Sequence, residues 1–469
     1  MSWKIVTGYG VFGAAICSCT AKTLLDTNDA KVREGVASDQ NTEQALRNTL
    51  TLKQAQVFFR HGARTTIHTI PKLAEANYDA KIFMHPLPHT LFDLDMVDLA
   101  TGGPKTKSRL DEHYAKKKLL GGSVAGQLTT LGQQQCFMLG QKLKQDYIEG
   151  ANLITEDYDP NTVFGRSTNI KRTIESLRCV MAGMFGVSNL QKIAPVKVYI
   201  SDQQSEVLFP NLHNCHVLTQ NNHSVLFHMG DKPEYQPERL KLEKAFGVNF
   251  KDHVGLNFVG MRDDLVARKA HGFPIPSHAL PLWDTIELMA SKMIYAAFCG
   301  QHKAERNVVM RLATGPLMTM VMDNIEDLEE NKGNAKKLFL FATHDSTLVG
   351  MLGLLDIWDN IWPPYSADIR FELYENQNKE KFIQVLYMGK PMKVRGCDST
   401  LCSLKQFREA MKPFMIRKDE LNSICSSDIL EQIDKETHDR HYSNKIKEEE
   451  KGEIQTEEVQ EQSETPAGM

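Results

Sequence analysis

The chain has no apolar run long enough to span a bilayer, no large excess of either charge and no dense cysteine framework. The first absence argues against a stable membrane-spanning segment in the mature chain. The second, 55 basic against 59 acidic residues for a net charge of −4, leaves no whole-chain signal for nucleic-acid binding or for an acidic disordered protein. The third, nine cysteines spread over 469 residues, excludes a small disulfide-stapled scaffold. A metal centre also lacks support. Cys17 and Cys19 form a lone CxC, and His213, Cys215 and His216 have no second ligand pair. No cofactor is expected.

The amino terminus is short of acid as well, since nothing acidic precedes Asp26. Trp3 and Lys4 lead into an apolar, small-residue run from Ile5 to Cys19, which reads as a targeting segment over residues 1–30 and is set aside from the fold. Its length suits a secretory signal; its missing acids suit a mitochondrial presequence. At the other end, residues 435–469 hold almost nothing to bury (Lys447-Glu448-Glu449-Glu450-Lys451) and read as a disordered charged tail.

Between these ends, three places share one design. Val57-Phe58-Phe59 runs into Arg60-His61-Gly62-Ala63-Arg64, Val163-Phe164 into Gly165-Arg166-Ser167-Thr168, and Leu338-Phe339-Leu340-Phe341 into Thr343-His344-Asp345-Ser346. After the second cluster, Ile170, Ile174, Leu177, Met181 and Met184 keep helical spacing; after the third, Leu348, Met351, Leu352 and Leu355 do. Short apolar strands followed by helices predict an α/β protein, a Rossmann-like doubly wound sheet covered on both faces. Further strands are expected at 196–200, 371–374 and 382–388, and a helix over 127–147. Residues 50–210 and 331–430 form this core. Residues 211–330, poor in strands and rich in His, Asn and Met, form a smaller, mostly helical cap. In such sheets ligands bind beyond the carboxyl ends of the strands, so the three clusters have a physical reason to converge.

Each cluster alone is more often a satisfied surface turn or a helix-end ion pair. Together they describe an anion site. Guanidinium forks match phosphate oxygens. A histidine between two arginines is disfavoured as a cation, and the neutral imidazole is a nucleophile. Gly62 permits a tight turn. Asp345, next to a bound anion, is expected to have a raised pKa and to donate a proton.

Arg60-His61-Gly62-Ala63-Arg64 and Ala342-Thr343-His344-Asp345 resemble the two signatures of the histidine acid phosphatases, and Arg166-Ser167-Thr168 resembles that family's internal Arg-Ser-Thr. Leu120-Gly121-Gly122, Gly126-Gln127-Leu128-Thr129, Ser205 to Asn211, Trp362-Pro363-Pro364 and Arg395-Gly396-Cys397 are similar to its lysophosphatidic acid phosphatase branch. The resemblance covers about residues 50–430. It implies the histidine phosphatase fold and a phosphohistidine on His61. Asp345 would be the proton donor, and Arg60, Arg64, Arg166 and His344 would hold the phosphate, with no metal. It also implies disulfides Cys397–Cys402 and Cys215–Cys425. One departure is Thr66, where the family usually has proline two residues after the second arginine; the nearest proline is Pro71, so the loop should be less rigid.

The resemblance further implies lysophosphatidic acid as substrate and monoacylglycerol as product. A broad acid phosphatase and a non-catalytic lipid-phosphate binder on the same fold are the alternatives. An acyl chain needs an apolar channel. Leu208, Phe209, Leu226, Phe227, Phe258 and Met261 could line one, although each is more readily explained as cap core. The resemblance points to the mitochondrion; disulfides would favour the secretory route or lysosome.

Overall fold

The computed structural model describes residues 49–435 apart from Val254, Asn331, Asn334 and Asp434. The expected targeting segment, with Cys17 and Cys19, and the tail from residue 436 lie outside the described residues.

The core is a mixed sheet of nine strands among the described residues: β1 (Thr51–Arg60), β2 (Leu94–Asp98), β3 (Val163–Ser167), β4 (Val196–Ile200), β5 (Leu338–Thr343), β6 (Asp368–Glu375), β7 (Lys381–Tyr387), β8 (Lys390–Met392) and β9 (Leu401–Ser403). They run in the order β2-β4-β3-β5-β1-β6-β7-β8, with β9 also on β7. From β2 to β1 the pairs are parallel. From β1 to β8 they are antiparallel. The register sets Arg60 opposite Thr343, and Phe341 opposite both Phe58 and Arg166. All three expected clusters therefore emerge at one edge of the sheet, on the adjacent strands β3, β5 and β1.

Alternation along these strands divides two cores. Val57 and Phe59 of β1 and Leu338, Leu340 and Ala342 of β5 face one side. There they meet α1 (Thr130–Lys144) and α2 (Lys171–Phe185), through Leu139, Leu143, Leu177, Val180 and Met181. Phe58, Phe339 and Phe341 face the other side. Helices α3 (His216–His223), α4 (Gln236–Phe246), α5 (Phe258–Ala270), α6 (Trp283–Cys299) and α7 (Lys303–Ala313) lie between β4 and β5, followed by α8 (Gly315–Glu329). Although inside the stretch expected as cap, α8 packs Leu317, Met318, Val321 and Ile325 beneath Phe58 and Phe341. It also satisfies the buried amides of β1: Gln56 Nε2 donates to Val321 O at 2.9 Å and Gln54 Nε2 to Asn324 O at 2.8 Å. Beyond β5 come α9 (Asp345–Leu354), α10 (Leu404–Met411) and α11 (Lys418–Cys425).

A third core belongs to the helices between β4 and β5. Leu242 and Phe246 of α4, Phe258, Met261 and Leu265 of α5, and Ile286, Met289 and Met293 of α6 pack together and reach Val349 and Trp362 of the sheet-bearing part. Of the candidate channel residues, Leu208, Phe258 and Met261 are fully buried, in keeping with the core reading favoured for each. Leu226 packs against the cap core and Phe227 is exposed.

Cys215 is bonded to Cys425 and Cys397 to Cys402. Cys215 is thus no metal ligand. The first bond ties the start of α3 to the end of α11 across a separation of 210 residues. No helix among the described residues is long and apolar enough to cross a membrane.

Candidate active site

β1 delivers Arg60 at its last position, and His61 follows with its backbone N–H still donating to Thr343 O of β5 at 3.1 Å. The next residue must be glycine for a reason other than a turn. Gly62 is not in the left-handed region; a Cβ there would sit 2.1 Å from Gly132 O at the start of α1. The strand end and the helix cross where only glycines fit, which presses His61 against the sheet edge.

His61 is almost completely buried, and its Nδ1 lies 2.8 Å from Gly62 O. A carbonyl only accepts, so Nδ1 carries the proton and Nε2 keeps a free lone pair. Burial, then the charge of Arg172, then Arg60 and Arg64, hold its pKa well below that of an ordinary histidine. His344 stands beside it, ring centroids 5.7 Å apart, and is kept neutral by burial and Arg172 in the same way. His344 Nε2 is 3.0 Å from Thr168 Oγ1, and its backbone caps α9.

Arg60 is held by Pro363 O at 2.7 Å, by the ring of Tyr365 at 4.4 Å and by Asp345 Oδ2 at 2.8 Å. Arg64 donates to Thr65 O at 3.0 Å and pairs with Asp263 Oδ1 of α5 at 2.8 Å. The Nε atoms of both arginines are buried without a partner.

Arg166 stands differently. Its Nη2 is 2.7 Å from Glu206 Oε1 and 2.9 Å from Ser201 Oγ, and its Nη1 is 3.3 Å from Met320 Sδ. Glu206 in turn accepts from the N–H groups of Val207 and Leu208, both at 2.8 Å. Arg166 thus organises the segment after β4, and its Nε, like those of Arg60 and Arg64, is buried without a partner. The third guanidinium at the nucleophile is Arg172, in the first turn of α2. It acts on His61 more strongly than Arg60 or Arg64, and its Nε and Nη1 are buried without partners. The sequence carried a signal for it. Lys171-Arg172 opens a helix with no acid in its first turn, where the helix dipole disfavours cations. A residue that breaks a local rule is a functional candidate.

Burial raises the pKa of Asp345, but in the unliganded site Arg60, Arg64 and His344 and a hydrogen bond from Trp362 outweigh it and hold the value down at about 2; the rise expected beside a bound anion concerns the occupied site. The loop at Thr66 is not slack. Asp263 Oδ2 accepts from Thr66 Oγ1 at 2.9 Å, Ile67 N at 2.6 Å and His68 N at 3.0 Å. A carboxylate from α5 fixes the loop where proline would stiffen it, and those donors with Arg64 hold Asp263 well below the usual carboxylate range.

A cavity of about 800 Å³ lies alongside, at the carboxyl ends of β3 and β4, lined by Leu99, Val207, Phe209, Leu312, Met320 and Leu421 among others. Phe209 joins it to the site, its ring 6.0 Å from that of His344.

Residues 51–245 and 295–388 match the family model of the histidine phosphatase superfamily (branch 2). The chain is 35% identical over 384 residues to lysophosphatidic acid phosphatase type 6 of Mus musculus, covering 81% of this chain and 89% of that one. It is 32% identical over 394 residues to the Homo sapiens protein of the same name, covering 83% and 90%. Among solved structures it superposes on a Hafnia alvei phytase in complex with tartrate with a TM-score of 0.52 at 12% identity, covering 78% of this chain and 98% of that one, a likeness of fold.

Proposed function

Since this chain belongs to the histidine phosphatase superfamily (branch 2) and is a phosphoric monoester hydrolase, we propose that it works through a phosphohistidine on His61 and that its substrate is lysophosphatidic acid. The observation that carries the first part is a buried, neutral imidazole with Nδ1 tied to Gly62 O and three arginines around it.

Arg60, Arg64 and Arg172 hold the phosphoryl oxygens, where charge concentrates in the transition state, with His344 beside them. His61 Nε2 attacks phosphorus as the bond to the leaving oxygen breaks. That oxygen takes the proton of Asp345. Water then attacks the phosphohistidine, the P–N bond breaks, the water's proton passes to the Asp345 carboxylate, and inorganic phosphate leaves. The ionised resting state of Asp345 fits this cycle. An incoming phosphoryl group takes the fork of Arg60 away from it and adds negative charge nearby, and both changes raise its pKa. Three guanidinium groups supply the charge that a metal clamp supplies elsewhere.

The His61→Ala enzyme is expected to fold, lose phosphatase activity and give no acid-labile phosphoenzyme after rapid quench with labelled substrate. Near wild-type turnover in that variant would refute the mechanism.

Support for the lipid substrate comes from the names of the two mammalian relatives and from the cavity beside the site. Its volume of about 800 Å³ falls in the range of roughly 300–1,000 Å³ usual for ligand pockets. The catalytic efficiency kcat/KM is then expected to rise with acyl length. Indifference to the chain would favour the broad acid phosphatase. For the compartment, the two disulfides support an oxidising lumen, secretory or lysosomal, against the mitochondrial alternative. Imaging the full-length chain with an intact amino terminus separates the two.

A further inference from the structure

Asp345 Oδ2 has two donors. One is Arg60, whose fork the substrate claims. The other is the indole Nε1–H of Trp362 at 3.1 Å, which no phosphate displaces. The guanidinium of Arg262, from cap helix α5, covers the face of that indole at 4.4 Å and is held by Glu287 of α6 at 2.7 Å. Both Trp362 and Arg262 are buried. The next residue along α5 is Asp263, locked to Arg64. Arg262 therefore cannot slide off the ring without breaking a second tether.

We propose that Trp362 is a positioning residue for Asp345, oriented and polarised by Arg262, so that the cap governs how the leaving-group proton is delivered. The inference rests on the assignment of Asp345 as the acid in the proposed mechanism. As Asp345 gives its proton to the leaving oxygen, its carboxyl becomes a carboxylate. A hydrogen bond from Trp362 strengthens as that charge appears, because a bond to an ionised acceptor is roughly twice as strong as a neutral one. It therefore stabilises the transition state more than the ground state. A cation on the indole face draws density from the ring and makes the N–H a better donor. The other groups facing Asp345 are Arg60 and Arg64 after β1, His344 beside it and Arg172 from α2. None of them belongs to the cap. Arg64 is tied to the cap through Asp263, but Trp362 is the group that carries the cap's hold to the acid by a direct hydrogen bond.

The test compares kcat/KM for glycerol phosphate, a poor leaving group that needs the proton, with p-nitrophenyl phosphate, a good one that needs it little. Both are measured across pH in full-length wild-type, Trp362→Phe, Arg262→Met and Asp345→Asn enzymes. The ratio of the two rates cancels any loss of folded protein. Trp362→Phe keeps the ring and removes the N–H. Its ratio is expected to fall about tenfold, the scale of one charge-assisted bond, and the midpoint of the ratio's pH profile to move up. Arg262→Met should move both in the same direction by a smaller factor. A structural role alone would lower both rates and leave the ratio unchanged in Trp362→Phe, which overturns the proposal, as does an unmoved ratio in Arg262→Met. If Asp345→Asn leaves the ratio at its wild-type value, the acid assignment itself fails. If Asp345→Asn collapses the ratio and Trp362→Phe does not, that assignment stands and the inference is wrong.

Discussion

Replacing Arg172 and Arg166 separately by methionine should give opposite results, although the two lie six residues apart. Arg172 is buried, has Nε and Nη1 unpartnered, and acts on His61 ahead of the flanking arginines. Burial already disfavours its charge. Methionine fills much of the same volume and leaves no strong ion pair broken, so the fold should lose little. The reaction loses one preorganised cationic donor, an effect of about 10²–10³-fold, or about 3–4 kcal/mol, for a donor of this kind. The His61 pKa should also rise, because its largest neighbouring charge is gone. Arg166→Met is the converse. It strands Glu206, only 2% exposed, whose Oε1 was paired at 2.7 Å. Breaking a buried pair on one side costs about 3–5 kcal/mol. Thermal unfolding should move down by several degrees, while turnover per folded molecule with p-nitrophenyl phosphate stays within about tenfold of wild type. The assay is kcat/KM for that substrate, inhibition by inorganic phosphate, and thermal melts on the same preparations. Arg172→Met enzyme within threefold of wild type, or Arg166→Met enzyme inactive with an unshifted melt, would refute the reassignment.

Stability should fall as pH drops below about 6.5. The folded pKa values of His61 and His344 lie well below that of a free histidine, so the unfolded chain binds protons that the folded one refuses. Each imidazole contributes at most about 1.4 kcal/mol per pH unit in that window. Melts between pH 7.5 and 5 should flatten in a His61→Gln/His344→Gln double variant, and an unaltered slope would count against buried neutral imidazoles. Asp345, lowered from 3.8 to about 2, contributes stability above its unfolded value that is lost as pH falls towards 2. Cys425→Ser opens a loop of 210 residues and should cost up to about 5 kcal/mol on the chain-entropy argument. Denaturant midpoints that agree between this variant and wild type would show that the bond carries no such constraint.

Local patterns were enough to place β1, β3, β4, β5 and the β6–β7 hairpin, because their apolar residues are contiguous or alternate and, for β1, β3 and β5, the charged cluster that follows marks the strand's end. The edge strands β2, β8 and β9 escaped notice. Leu94–Asp98 mixes two acids with three apolar residues, and the other two are three residues long. In such strands pairing, rather than pattern, makes the structure. His61, Arg60, Arg64, His344 and Asp345 were legible as a group because strand ends in a parallel sheet have one common edge.

Which guanidinium faces the nucleophile was not legible. Arg166 and Arg172 lie on successive elements, and in the proposed mechanism a carboxylate 40 residues from Arg166, Glu206, draws that guanidinium off. The charge on Asp345 was decided in the same way. Sequence supplies a carboxyl beside a phosphate site, but only the folded chain sets Arg60 and Trp362 against it. Residue type and strand-end position are local properties and can be read from the chain; the partner of each charge depends on segments brought together across hundreds of residues, and that partner determines what the charge does.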